Sequence, residues 1–316
     1  IVAGLRYAAN SPALKATLLR AAAFFPFASA MWAMLPLIAR DVLSGGPTLY
    51  GLMLGAVGAG AVGGALVLPR LKARLGADKT VAAGTLGTAS VMVILAVVPN
   101  QAAALAASAL AGLSWIAVLS SLNVSAQTAL PDWVRARGLS VFLTVFFGAM
   151  SVGSLAWGQV AASWGIPVAL IAAAAGAVLM LPLTWRAKLG LGAQQDLTPS
   201  MHWPEPVLSM DTQPDGPVMV QITYAVPEGQ LAEFQRLMQD LAASRRRGGG
   251  HHWSLMQDAA SPETFVETWW ETSWTNHLRQ HDRVSHEDKA LQQKIAGLLK
   301  NDAKPQVQHF VASQAP

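Results

Sequence analysis

The sequence predicts an all-α membrane bundle of six transmembrane helices, followed by a smaller α+β soluble domain of ferredoxin-like order. Three observations carry this expectation. Six apolar stretches lie near residues 17–39, 48–69, 80–98, 101–123, 138–162 and 166–185. Each is long enough to cross a hydrocarbon core about 30 Å thick, which takes roughly 20 residues of helix. The Lys and Arg residues between them fall on alternate loops. Beyond about residue 190 the pattern changes, from continuous apolar runs to strand alternation and amphipathic helices.

The loops give the orientation. Arg70, Lys72, Arg74 and Lys79 lie between the second and third stretches, Arg135 and Arg137 between the fourth and fifth, and Arg186 and Lys188 after the sixth. The intervening connections, around 44–47, 99–101 and 163–166, hold no base, and Arg40 alone breaks the pattern. By the positive-inside rule the basic side is cytoplasmic. Arg6, Lys15 and Arg20, which precede or open the first helix, agree, and an even number of spans places both ends in the cytoplasm.

Charge divides at the same place as hydropathy. Residues 1–190 hold 12 Lys+Arg and 3 Asp+Glu, a balance of +9, and the remainder hold 10 and 15, a balance of −5. The overall +4 therefore hides a basic membrane part and an acidic soluble part. The bases are spread over loops where lipid headgroups and topology account for them, so no nucleic-acid partner is expected. There is no Cys, hence no disulfide, thiolate nucleophile or Cys-ligated metal. The chain opens on Ile1 without a signal-peptide pattern, and the expectation is a start within a longer protein.

Residues 1–189 are thus read as the membrane part, 190–216 as a Pro/Gly-rich linker and 217–316 as the soluble domain. Repeated Pro blocks helix and strand alike, and Trp203 is a residue that could dock the linker. After it, Val218–Val226 alternates as a strand. Pro227–Ala243 has Leu231, Phe234, Leu237, Met238 and Leu241 on one helical face. Strands fit His251–Asp258, Thr264–Glu271 and Val307–Ala312, with helices through SWTNHLRQH and from His286 to Lys300. The order βαββαβ is a split, ferredoxin-like unit.

Small residues recur in two spans. Gly51, Gly55, Gly58, Gly60, Gly63 and Gly64 give overlapping small-xxx-small spacings in the second, as do Gly148, Ser151, Ser154 and Gly158 in the fifth. Such spacings let helix backbones approach where lipid supplies no hydrophobic drive. Asp41, Asp78 and Asp132 are the only carboxylates before residue 190, and each sits at or beyond a span end. If protons cross with this protein, the group that carries them is expected outside this chain, or something other than a buried carboxylate does so.

The ordered set GLRYAANSPALKATLLRAA, LPLIARDVL, YGLMLGAVGAGAVGGAL, ALPDWVRARGLSVFL, DLTPSMHWPEP, RRRGGGHHWSL and SWTNHLRQHDRVSHED resembles the major facilitator superfamily. The branch is that of the transmembrane secretion effectors, near the enterobactin exporters. The likeness covers the C-terminal six helices of such a transporter, fused to a domain similar to the antibiotic-biosynthesis-monooxygenase-like dimeric α+β barrel. It implies a fragment lacking the N-terminal six helices, multi-pass in the bacterial inner membrane, without a cofactor. It further implies export of a siderophore-like, drug-like or other secondary metabolite by alternating access. The partners implied are the lipid bilayer, the missing half facing the Gly-rich helices, the small-molecule substrate, and a second copy through the C-terminal domain. A six-span protein working as a homodimer is the topological alternative.

The resemblance also distributes roles. PRLKARLGADK, with Arg70, Arg74 and Asp78, looks like a degenerate gating loop in which Arg and Asp pair in one access state, and Asp132, Arg135 and Arg137 admit the same reading. Plain positive-inside charge is the other reading for both. With the first and fourth helices of this half lining the cavity, Ser29, Trp32 and Pro36 fall on one wall and Gly112, Ser114, Trp115 and Asn123 on the other. An uncharged aromatic wall suits a bulky, largely apolar solute. The competing function is a membrane-tethered cofactor-independent monooxygenase or haem-degrading-type enzyme, with Trp269, Trp270, Asn276, His277 and His281 as its pocket. The plainer reading makes Trp253, Trp269 and Trp274 part of the barrel core or of a dimer face, and Arg245–Arg247 a solvated helix end.

Overall fold

The computed structural model describes residues 2–204, 216–300 and 305–312; the linker segment 205–215 lies outside the described residues. The chain divides into two compact units. One comprises Pro12–Leu130 and Leu139–Gln194, the other Ile1–Ser11, Pro131–Gly138 and Gln195–Pro316.

The first unit is helical: α2 (Pro12–Leu37), continued by a π-helical turn Ile38–Val42, α3 (Gly46–Val97), α4 (Gln101–Thr128), α5 (Arg135–Trp164) and α6 (Ile166–Thr184). Among the described residues five helices, not six, are long and apolar enough to cross a membrane. The difference lies in α3, whose 52 residues would reach about 78 Å at 1.5 Å per residue, over twice a hydrocarbon core. Gly76 interrupts it with φ 75° and ψ 172°, a left-handed conformation that a Cβ would penalise. Both limbs pack on the same stretch of α4, Gly64 against Leu113 and Ile116, and Gly84 against Ser114 and Val118. The chain therefore reverses at Gly76, and α3 holds two of the expected apolar stretches in one run.

The closest helix contact is α3 on α4. A Cβ on Gly60 would lie 1.9 Å from the Ala109 carbonyl oxygen, and one on Gly112 1.9 Å from that of Val57. The two backbones touch through reciprocal glycines. Gly51, Gly55, Gly58 and Gly63 have nothing within 4 Å of such a Cβ, so of the six small residues in this stripe only Gly60 and Gly64 pack within the described chain. Gly112→Val should therefore cost about 1–3 kcal/mol or more by overpacking, whereas Gly51→Val should leave the bundle intact. Thermal unfolding of both variants in detergent, read by far-ultraviolet circular dichroism, checks this. Equal midpoints would refute the contact.

The second unit holds α1 (Val2–Asn10), β1 (Val218–Ala225), α7 (Leu231–Gly248), β2 (His251–Gln257), β3 (Thr264–Glu271), α8 (Trp274–His281), α9 (His286–Ala296) and β4 (Gln306–Val311). The strands form one antiparallel sheet in the order β2-β3-β1-β4. Strict alternation on β1 and β3 buries Val218, Val220, Ile222, Tyr224, Phe265 and Trp269 with Phe234, Leu237, Met238 and Leu241 of α7. Ser273 caps α8 by accepting from the Asn276 amide, and Ser285 with Asp288 forms a capping box on α9, which satisfies amides that a helix start leaves free.

Residues 198–203, at the start of the expected linker, strap onto this unit. Pro199 bridges Ser285, the Thr198 carbonyl accepts from the His286 amide, and Trp203 Nε1 donates to Gln292 Oε1 at 2.9 Å. On another side α1 packs against α7, and Arg247 donates to the Asn10 carbonyl. The segment 131–138 joins it, with Trp133 edge-on to Tyr7 and the Arg283 guanidinium 4.5 Å above the Trp133 ring.

Candidate functional site

In the helical unit the expected wall residues separate into two groups. Trp32 and Trp115 meet with ring centres 5.2 Å apart, and Phe25, at 5.7 Å from Trp115, and Phe146 of α5, at 4.5 Å from Phe25, extend them into one uncharged aromatic patch. The Trp32 Nε1 is buried without a hydrogen-bond partner among the described residues. Ser29 lies behind this patch, its hydroxyl donating to the Pro26 carbonyl at 2.6 Å, where Trp157 Nε1 also donates. Gly112 and Ser114 are not part of it. The structure places them in the α3–α4 contact, Ser114 against Gly84 and Gly87, because their side of α4 faces the paired backbone rather than α2. Pro36 is exposed, and Asn123 accepts from Gln127 one turn on.

The basic loops are also rearranged from expectation. Asp78 does not pair with Arg70 or Arg74, which are exposed. It accepts from Arg20 Nη2 at 3.0 Å and from the Leu189 amide at 3.1 Å. Arg20, with a side chain 2 % exposed, also donates through Nε to the Ala187 carbonyl. One carboxylate thus ties the start of α2 to the turn inside α3 and to the segment after α6. Asp132 and Arg135 pair at 2.6 Å on the surface, where a one-turn ion pair contributes little. Arg137 is exposed, and its backbone abuts Gly4.

The second unit contains an organised polar centre. Arg245, expected in solvent, is 3 % exposed. It follows Phe234, Met238, Leu241 and Ala242 on the buried stripe of α7, so its guanidinium enters the core. Its Nε donates to Glu267 Oε1 at 3.1 Å and its Nη2 to Oε2 at 3.4 Å. Tyr224 donates its hydroxyl to the same carboxylate at 2.7 Å, as does Trp253 Nε1 at 2.9 Å. Trp269 lies flat beneath the guanidinium, 4.2 Å from ring centre to Cζ, and Trp203 of the strap stands 5.1 Å away. Burial and the adjoining Glu267 push the Tyr224 hydroxyl well above its ordinary value.

Beside this centre lies a cavity of about 510 Å³. Its sheet wall comes from β1, β3 and β4, and α7, α8 and α9 close the other side, with Trp203 at the edge. His277 and His281 line it, as expected of one helical face, with their Nε2 atoms 3.3 Å apart. His309 of β4 joins them with its ring centre 4.7 Å from that of His277. Among the described residues no such group is arranged to hold a metal ion. Trp270 and Asn276 do not belong to the cavity. Trp270 alternates with Trp269 and faces the other side of the sheet, and Asn276 donates to Thr272 at the exposed start of α8. The expected Trp, Asn and His constellation is therefore assembled only in part, from Trp269, His277 and His281. Arg245, Glu267, Tyr224, Trp203 and His309 were missed; the helical spacing of Arg245 and the strand alternation of Glu267 with Phe265 and Trp269 were the available signals.

Burial controls protonation here. Desolvation, aided by neighbouring imidazoles, lowers His277 to about 3 and His281 to about 4. Burial likewise pushes the Glu271 carboxyl up to about 7, against the pull of Arg6. A histidine depressed in the folded state stabilises fully above its unfolded value and loses that contribution as pH falls through 6.5 towards 4. A raised carboxyl does the opposite, costing stability as pH rises from 4.5 to 7. Two imidazoles outweigh one carboxyl, so stability should fall from pH 6.5 to pH 4.5. Glu271→Gln should steepen the fall and the double variant H277F/H281F should flatten it, as read by denaturation midpoints at each pH. A slope unchanged in both variants would refute the assignment.

A bundle of long apolar helices joined to a compact α+β unit defines an integral membrane protein. The chain belongs to the transmembrane secretion effector family of the major facilitator superfamily, whose family profile matches residues 1–316. Comparison with curated protein sequences finds no match.

Proposed function

We propose that the chain forms the C-terminal six-helix half of a secondary transporter that exports bulky, largely apolar or aromatic secondary metabolites by alternating access. The observation that carries this reading is the uncharged aromatic patch of Phe25, Trp32, Trp115 and Phe146, drawn from three helices and free of carboxylates. The open stripe of Gly51, Gly55, Gly58 and Gly63 suits the second bundle on which alternating access depends, in a bacterial inner membrane. In this reading residues 190–216 link the spans to a cytoplasmic ferredoxin-like domain; the sheet order and the succession βαββααβ, with two helices before the last strand, support that assignment, and the domain's outer sheet face suits a second copy. The domain regulates or docks the transporter rather than supplying catalysis.

Trp32→Ala and Trp115→Ala in the transporter containing this chain should each change the efflux profile over a panel of aromatic dyes. Loss of the ring contacts should weaken efflux of the bulkiest dyes by about five- to ten-fold, the worth of one aromatic contact. Profiles unchanged in both variants would remove the patch from the transport path.

A further inference from the structure

We propose that the cavity of the α+β unit is a binding site for an aromatic acid, a flat bicyclic or tricyclic ring system bearing a carboxylate or similar anionic oxygen. The proposal is independent of the transport reading, because it rests on this unit alone. The volume of about 510 Å³ is that of a small-molecule site. Its flat walls are Trp203, Trp269 and Tyr224, which match a planar ring system rather than a flexible chain.

The charge pattern selects an anion. Among the described residues the lining holds Arg245, His277, His281 and His309 and no Asp or Glu. Glu267, a carboxylate close to the lining, is committed to Arg245, Tyr224 and Trp253. A carboxylate entering this space therefore meets N–H donors and, among the described residues, no opposing acid. A neutral imidazole carries one donor, and one of the donors of His277 and His281 is spent between their Nε2 atoms; a charge-assisted hydrogen bond is about twice as strong as a neutral one. On two of the lining residues, His277 Nδ1 and Gln292 Nε2 are buried without a partner among the described residues.

The test uses the whole chain in lipid nanodiscs, with empty nanodiscs as reference, titrated calorimetrically with 2-naphthoate and with its neutral counterpart 2-naphthalenemethanol. The expected result is saturable binding of one 2-naphthoate per chain, about ten-fold tighter than the alcohol. Ile222→Trp should abolish it by filling the cavity. Val307→Trp provides a second block at a position 51 % exposed, where a large side chain does not disturb the core. The double variant H281F/H309F should lower affinity for 2-naphthoate at least about five-fold while leaving that for the alcohol unchanged. No saturable binding above the empty nanodiscs overturns the site. Equal affinity for acid and alcohol overturns the anion assignment, and binding that survives Val307→Trp in a folded protein places the ligand elsewhere.

Discussion

Glu267→Ala should destabilise the α+β unit by about 3–5 kcal/mol, the usual penalty for leaving one member of a buried ion pair uncompensated. Glu267 is fully buried and accepts from Arg245, Tyr224 and Trp253. Its removal leaves a cation and two donors of the core without their shared acceptor. The stacking of Arg245 on Trp269 holds the guanidinium in place, so escape to solvent requires the strap at Trp203 to open as well. Replacing both charges, as in R245M/E267L, should recover part of the loss, since no uncompensated cation remains while the Tyr224 and Trp253 donors stay unpaired. Denaturant unfolding followed by tryptophan emission measures both. A single variant as stable as the parent would show that the ion pair is not formed, and a double variant as unstable as the single would place the cost in packing.

Asp78→Lys should reduce efflux by about ten-fold or more while changing the amount of protein in the membrane by less than about two-fold. The reason is positional. Asp78 receives Arg20 and the Leu189 amide, so it joins segments that alternating access has to separate or keep together. A lysine there would face the buried Arg20 as a like charge. Asp78→Asn separates the contributions, because its amide oxygen can still accept from Leu189 while the charge on Arg20 goes unanswered. It should show a smaller defect of the same sign. Parallel loss of efflux and membrane protein in both variants would assign Asp78 to assembly alone.

Much of this arrangement was legible along the chain, and its failures have specific causes. Asp78 stood out because carboxylates are so few among the spans, yet its partner was sought next to it in Arg70 and Arg74. Arg20 lies 58 positions away, a separation that helix periodicity does not encode. The glycine stripe of α3 was visible as a set, but which members carry helix contact depends on where α4 crosses. That divided Gly60 and Gly64 from Gly51, Gly55, Gly58 and Gly63. Trp269 and Trp270 are adjacent, and strand alternation requires that only one face the helices; sequence did not say which. Arg245 sits at a core position of its own helix, and the neighbouring Arg246 and Arg247 disguised it as part of a solvated run.

Local physics accounts for what the sequence by itself determined: helices in long apolar runs, the turn of the chain amid the bases around Gly76, alternation in the strands, and the order of elements. Each depends on residues within a few positions of one another. Tertiary structure alone decided the pairings, since Arg245 with Glu267, Asp78 with Arg20, and His309 with His277 join groups that meet only after helices and strands have packed. Burial then set their chemistry. The same imidazoles that would titrate near neutrality in solvent stay neutral around the cavity, because the sheet and three helices exclude water from one side of them.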